Sequence, residues 1–243
     1  AVHWLDAAQL AESEPGLNPD ARPVAALRLP SDEVGNCRQL LMTMRAEAAR
    51  IGVQFRFNAQ VMRLEALGTN GSWRLHLASG ASVDTSWLVL CASEGAAALL
   101  KPLGCRLPLQ AAHGYTLTAQ VREPLHAPRH AAVTDLGRQV TITRQGQRIR
   151  VSGGYRLGPQ PHMHDAAAVR TLYQTLGQWF PGAAVLDGST QTWAATVWMT
   201  ADDHPIIGPA PQLPGIWLNV GHGFNGWGHS LQAAEIVASR FAT

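Results

Sequence analysis

Ile216-Trp217-Leu218-Asn219-Val220, followed without a break by Gly221-His222-Gly223-Phe224-Asn225-Gly226-Trp227-Gly228, is the stretch on which the fold turns. Its first five residues form a short apolar run of strand length. The next eight hold four glycines, and glycine permits positive φ and close approach of a bulky group to the backbone. A final helix is expected from there to about Arg240. A helix start offers unpaired N–H groups and a partial positive charge. Strand, glycine turn and helix start together suit an anionic or electron-accepting group; a tight turn with no ligand is the alternative.

Upstream, Asn36 is placed to cap a helix whose apolar face is Leu41, Met44, Ala48 and Ile51. Gly52 then sits where a helix end takes positive φ. Val53-Gln54-Phe55-Arg56-Phe57 alternates strictly and predicts a strand, as does Val61 to Leu67. Asn70-Gly71 marks a hairpin, with Trp73, Leu75 and Leu77 alternating after it. The unbroken apolar run Trp87 to Ala92 predicts a strand buried on both faces, as in a covered parallel sheet.

Past Pro102 the pattern becomes antiparallel. Segments 109–121, 130–143 and 147–155 read as strands, with a hairpin tip at Gln145-Gly146-Gln147. One helix interrupts them, capped by Asp165, carrying Val169, Leu172, Leu176 and Trp179, and ended by Pro181-Gly182. A further strand is expected over 190–199. The order α/β, then antiparallel β, then strand-turn-helix fits α/β plus α+β: one domain assembled from distant pieces, with a second inserted.

Composition narrows the function. Charged residues make up 15% of the 243 residues, against roughly 25% in ordinary globular chains, so part of this surface is expected to be covered by a cofactor, a partner or a further segment. The net charge of +2 comes with no run of Lys or Arg, which leaves no footprint for nucleic acid. Cys37, Cys91 and Cys105 are odd in number and show no CxxC spacing. That favours reduced thiols and a cytoplasmic location. No apolar run reaches membrane-span length. The opening Ala-Val-His-Trp-Leu-Asp has neither an initiator Met nor a signal-peptide pattern, as the middle of a longer chain would. His162-Met163-His164-Asp165 invites a metal reading, but with no third ligand nearby a polar loop with a helix cap is preferred, and no metal site is expected.

Several stretches together resemble the FAD-dependent D-amino acid dehydrogenase and oxidase family. Asp203-His204-Pro205-Ile206-Ile207-Gly208-Pro209, then Gly215 to Val220 and the glycine turn, is similar to the family's C-terminal signature of DGxPxxGR and a strand ending LNTGHG. Asp32 to Cys37 is similar to its DETGDC stretch, and Val53 to Val61 to its strand beginning VxFRFN. Leu99 to Gly104 with His113 to Thr118 is similar to its LLKPLG and KGYSLT pair, and Trp4-Leu5-Asp6 with Glu14-Pro15 fits its linker.

The resemblance implies a discontinuous, Rossmann-like FAD-binding domain over 27–105 and 198–243. It also implies an antiparallel substrate domain over 1–26 and 106–197. The implied activity is oxidation of an amino acid or related amine by hydride transfer to flavin N5. Val61, Ala92, Gly221, His222, Gly223, Phe224, Asn225, Gly226 and Trp227 are the expected FAD contacts. Tyr115, Arg144 and Trp198 are the expected catalytic candidates. Tyr115 reads equally as a substrate partner or a half-buried strand residue. His222 is read as a flavin contact without acid-base duty, ahead of a proton carrier or a residue held by backbone hydrogen bonds in a crowded turn. The location implied is cytoplasmic, or peripheral at the inner membrane.

Two departures stand out. No GxGxxG unit is present, and neither Gly153-Gly154 nor Gly221 to Gly228 has its spacing. The FAD pyrophosphate site is therefore expected on a further segment, on the same or another chain. The family's GLRP-like stretch, whose Arg clamps a substrate carboxylate, matches Ala195-Thr196-Val197-Trp198, and Val197 cannot make those paired bonds. Arg144 or Arg156 could take the role. A non-catalytic subunit or degenerate homologue is the reading from another class.

Overall fold

The computed structural model describes residues 2–129, 132–158 and 165–241. His162, Met163 and His164 lie outside the described residues. Strands β1 (His3–Leu5) and β2 (Ala26–Arg28) flank helix α1 (Ala7–Ser13). Helix α2 (Cys37–Arg50) precedes β3 (Val61–Ala66), β4 (Trp73–Leu77), β5 (Ser82–Thr85) and β6 (Leu88–Leu90). Helix α3 (Glu94–Leu100) leads to β7 (Gln110–Val121), β8 (Ala132–Asp135), β9 (Val140–Gln145) and β10 (Arg148–Leu157). After helix α4 (Ala166–Trp179) come β11 (Ala184–Val185), β12 (Gln191–Met199), β13 (Ile206–Pro209), β14 (Ile216–Val220) and helix α5 (Gly226–Ser239).

The chain forms two compact units. The first comprises residues 1–40, 113–156 and 160–196. Its six-stranded sheet runs β11-β7-β10-β9-β8, with β12 also paired to β7. Helix α4 starts where Asp165 caps it, the carboxylate accepting from the Ala167 and Ala168 amides at 2.9 and 3.0 Å. Its Leu172 and Leu176 join Leu117, Ile142, Ile149, Val151 and Phe180 in one buried cluster. Each fully buried side chain of this size contributes about 1.5–3 kcal/mol, so the helix is held by its apolar stripe. The expected strand 130–143 is in fact a hairpin, β8 paired antiparallel with β9. The break falls at Leu136 to Gln139, where Gln139 takes φ 52.

The second unit comprises residues 41–112, 157–159 and 197–243. It holds two three-stranded sheets, β3-β4-β5 and β13-β14-β6. The first is antiparallel, built by the Asn70-Gly71 hairpin as expected. In the second, β13 pairs antiparallel and β6 parallel with β14. Leu64, Trp73, Leu90, Leu100, Ile216 and Leu218 share its core. Trp73 Nε1 donates to Pro214 O at 2.8 Å, pinning the hairpin to the β13–β14 turn.

Two expectations are corrected here. Residues 53–57 alternate but form no strand: a strand exists through ladder bonds to a neighbour, and none stands beside them among the described residues. The run 87–92 yields a strand over only Leu88–Leu90, and Trp87 is 46% exposed. Helix α2 does form, with the Gln39 amide donating to Asn36 Oδ1 at 3.1 Å and Gly52 at φ 99. Yet α2 buries none of its residues.

Candidate functional site

Strands β6 and β14 lie parallel with Leu88, Val89 and Leu90 opposite Ile216, Trp217 and Leu218. Both therefore end at one edge of their sheet, where Cys91-Ala92 leaves β6 and Gly221 leaves β14. Ligands of open α/β sheets bind outside such carboxyl ends. Asn219 lies close to both ends: its side chain draws partly back the pKa of the Cys91 thiol, which surrounding protein pushes up. Its Oδ1 accepts from His222 Nε2 at 2.7 Å. Asn219 is the single polar residue of an apolar strand, a signal in the sequence that its motif reading passed over.

His222 is the chemically informative residue. Burial first, and the nearby His229 charge second, hold its pKa below the ordinary 6.5, so its ring is neutral at pH 7. With the proton on Nε2, Nδ1 is an acceptor. Nδ1 is buried and has no hydrogen-bond partner among the described residues. Leaving such an atom unsatisfied costs about 1–3 kcal/mol. A donor on a bound molecule removes that cost, and this orphaned acceptor at the strand edge fits a polar ring such as a flavin.

The expected positive φ is found at two of the glycines, and packing within the protein adds a second reason. Gly221 and Gly223 take φ 80 and 53, the left-handed region. A Cβ at Gly221 would meet Leu109 Cδ2 at 3.0 Å, one at Gly223 would meet Asp203 Oδ1 at 2.9 Å, and one at Gly226 would meet His222 Cβ at 3.0 Å. At Gly221 and Gly223 the backbone conformation favours glycine, and at all three positions the protein's own packing crowds a Cβ. Of the four, Gly228 has nothing within 4 Å. Phe224, Asn225 and Trp227 are exposed on the turn and the first residues of α5.

Val61 and Ala92 come together in a cavity of about 570 Å³, which Cys91 and Gly95 also line. That volume suits a small-molecule site. Strand β3 carries a register shift between Val61 and Arg63, and such bulges re-aim residues near sites. The cofactor candidates therefore all belong to the second unit.

The substrate-side candidates divide. Tyr115 is 2% exposed within the buried cluster of the first unit. Burial mainly raises its pKa, with Asp165 adding to the rise and Arg156 opposing it. Arg144 stands near the end of β9, its guanidinium donating to Gly146 O and Pro124 O, each at 3.2 Å. Arg156 donates to Asp165 Oδ2 at 3.2 Å. Val197 and Trp198 are half-buried on β12 in the second unit. Among the described residues, no group of three His, Cys, Asp or Glu side chains could hold a metal ion. No helix among them is long and apolar enough to cross a membrane.

Residues 1–240 match the family described as FAD dependent oxidoreductase. The chain is 35% identical over 238 residues to the D-amino acid dehydrogenase of Xylella fastidiosa (strain M23), covering 95% of this chain and 52% of that protein. It is 33% identical over 243 residues to the D-amino acid dehydrogenase of Rhodopseudomonas palustris (strain HaA2), covering 97% and 55%. It thus spans about half the length of these curated relatives. Among solved structures, glycine oxidase from Geobacillus kaustophilus superposes with TM-score 0.85 at 20% identity, covering 98% of this chain and 62% of that one. L-proline dehydrogenase from P. horikoshii gives 0.85 at 17%, covering 99% and 64%. At these identities the structural likeness speaks for the fold alone.

Proposed function

This chain belongs to the FAD dependent oxidoreductase family, and from that premise we propose that it is the flavin-ring and substrate part of an enzyme oxidising an amino acid or related amine. When bound, FAD supplies the hydride acceptor, flavin N5, for oxidation of the carbon beside the amine. The observation that carries the reading is the turn Gly221 to Gly226 at the carboxyl edge of β6 and β14, with the orphaned His222 Nδ1 inside it. Asn219 orients the ring of His222 by taking the Nε2 proton in a hydrogen bond, which leaves Nδ1 to accept. Val61 and Ala92 line the cavity assigned to the rest of the cofactor. Tyr115, Arg144 and Trp198 remain the substrate-side candidates, and the FAD-binding domain is assigned to 27–105 and 198–243.

The pyrophosphate site is assigned to a complementary segment, and an apolar surface supports that reading. Leu41, Met44, Ile51, Val53, Phe55 and Phe57 are 43–67% exposed. β6 is also an edge strand among the described residues.

The test is anaerobic. The chain is combined with the N-terminal half of a relative and loaded with FAD, and the flavin spectrum is followed as D-amino acids, L-amino acids and secondary amines are added. Bleaching by at least one class supports the enzyme reading. A bound flavin that no amine reduces would favour the second reading, a non-catalytic member of the family, to which Val197 gives specific support. If Val197 stands at the carboxylate clamp, unmodified α-amino acids reduce the flavin poorly, and Val197→Arg improves them by about tenfold or more, since a charge-assisted bond is worth roughly 1.5–3 kcal/mol. Efficient reduction by D-alanine in the wild type would show the clamp to lie elsewhere.

A further inference from the structure

We propose that Asp203 is a positioning residue of the flavin turn: its carboxylate binds Asn225 and locks the turn 221–226 in the form that receives the cofactor. The inference rests on the functional reading above, and all its residues belong to the second unit.

Asp203 takes φ 59, a left-handed conformation that non-glycine residues occupy at a cost and that Asp tolerates better than most. Non-glycine residues held there call for an explanation. The local fold supplies one. The Asp203 amide donates to Thr200 O at 3.3 Å, and Thr200 Oγ1 donates to His204 O at 2.8 Å, closing the loop after β12 into a tight bend. Met199 forms a β-bridge with His222, so the bend lies against the glycine turn. The left-handed backbone then presents both carboxylate oxygens to that turn. Oδ2 accepts from Asn225 Nδ2 at 2.8 Å, while Oδ1 occupies the space a Cβ at Gly223 would need.

Asn225 departs from habit in a matching way. It stands at the N-cap position of α5, where Asn commonly bonds a backbone amide of the first turn, yet its side chain makes no cap bond. It is given to Asp203 instead. A carboxylate beside a helix start is also favoured by the partial positive charge there. One contact between residues 22 apart in sequence thus ties together the loop, the turn and the helix start. His222 and its unpartnered Nδ1 sit between the tied points.

The experiment has two arms. In the first, hydrogen exchange of the 221–226 amides is measured on the 243-residue chain. Asp203→Ala should speed exchange there by about fivefold, the scale of one lost hydrogen bond, with the strands of the first unit unchanged. Asp203→Asn, whose amide oxygen can accept the same bond, should restore protection. Asn225→Ala attacks the bond from the other side, and serves should Asp203→Ala fail to fold. The double variant should exchange no faster than either single one. Unchanged exchange in Asp203→Ala, or single effects that multiply in the double, overturns the lock.

In the second arm the chain is combined with the N-terminal half of a relative and titrated with FAD. The dissociation constant should rise about fivefold in Asp203→Ala and return in Asp203→Asn. Faster exchange with unaltered FAD affinity would overturn the role toward the cofactor. A wild-type complex that binds no FAD would sink the functional reading itself, while the exchange arm still judges the lock.

Discussion

His222 carries the sharpest consequence at the scale of single residues. Its folded pKa lies below the ordinary 6.5, chiefly through burial. The unfolded state therefore binds more protons in the interval between the lowered value and 6.5, and stability falls as pH drops through it. Above 6.5 this contribution is complete and flat. Ring-proton NMR of the folded chain should show His222 titrating below 6.5, and His222→Gln should remove its share of the pH dependence. A midpoint at or above 6.5 would contradict the buried, neutral ring. The motif around His222 was legible because four glycines in eight residues are conspicuous. The bonds that give it meaning were not. Asn219 and Asp203 reach the turn through side chains whose directions depend on a parallel pairing and a left-handed residue, and neither has a periodicity.

Among the elements, hairpins and capped helices were the legible parts. Asn70-Gly71 lies between β3 and β4, and Asp165 caps α4, because each signal and its effect are local. Residues 53–57 show the opposite case: alternation specifies a strand's two faces, but its existence needs a neighbour. The same reasoning makes α2 weak, since a 14-residue helix with no buried residue is marginal in water. Limited trypsin digestion of the chain should cut first at Arg45 and Arg50, and cutting first within β9 or β10 would contradict this. The pin between the hairpin and the β13–β14 turn should behave differently. Gly215 takes φ 83, and a Cβ there would overlap Gly71 O. Gly215→Ala should cost about 2–4 kcal/mol from strain and overpacking, read as a lowered denaturation midpoint. A change under about 0.5 kcal/mol, ordinary for a surface substitution, would show that the turn yields.

For the molecule as a whole, the low charge content found its counterpart in structure: apolar residues of α2 and 51–57 stand exposed. The α/β plus antiparallel character was legible from the switch between unbroken and alternating runs. The division into units was less so, because the chain passes between them several times. If the exposed surface receives the complementary segment, the chain by itself should not retain FAD tightly, since the backbone N–H groups of a pyrophosphate loop supply much of dinucleotide binding. A stoichiometrically yellow chain after purification would overturn that. The central claim is that the flavin ring is held at the carboxyl edge of β6 and β14. Hydrogen exchange of the reconstituted protein, with and without FAD, tests it most directly. The amides of 221–226 and of Cys91-Ala92 should gain protection on FAD binding, while β8 and β9 stay unchanged. Bound FAD with no added protection at 221–226 would contradict the account.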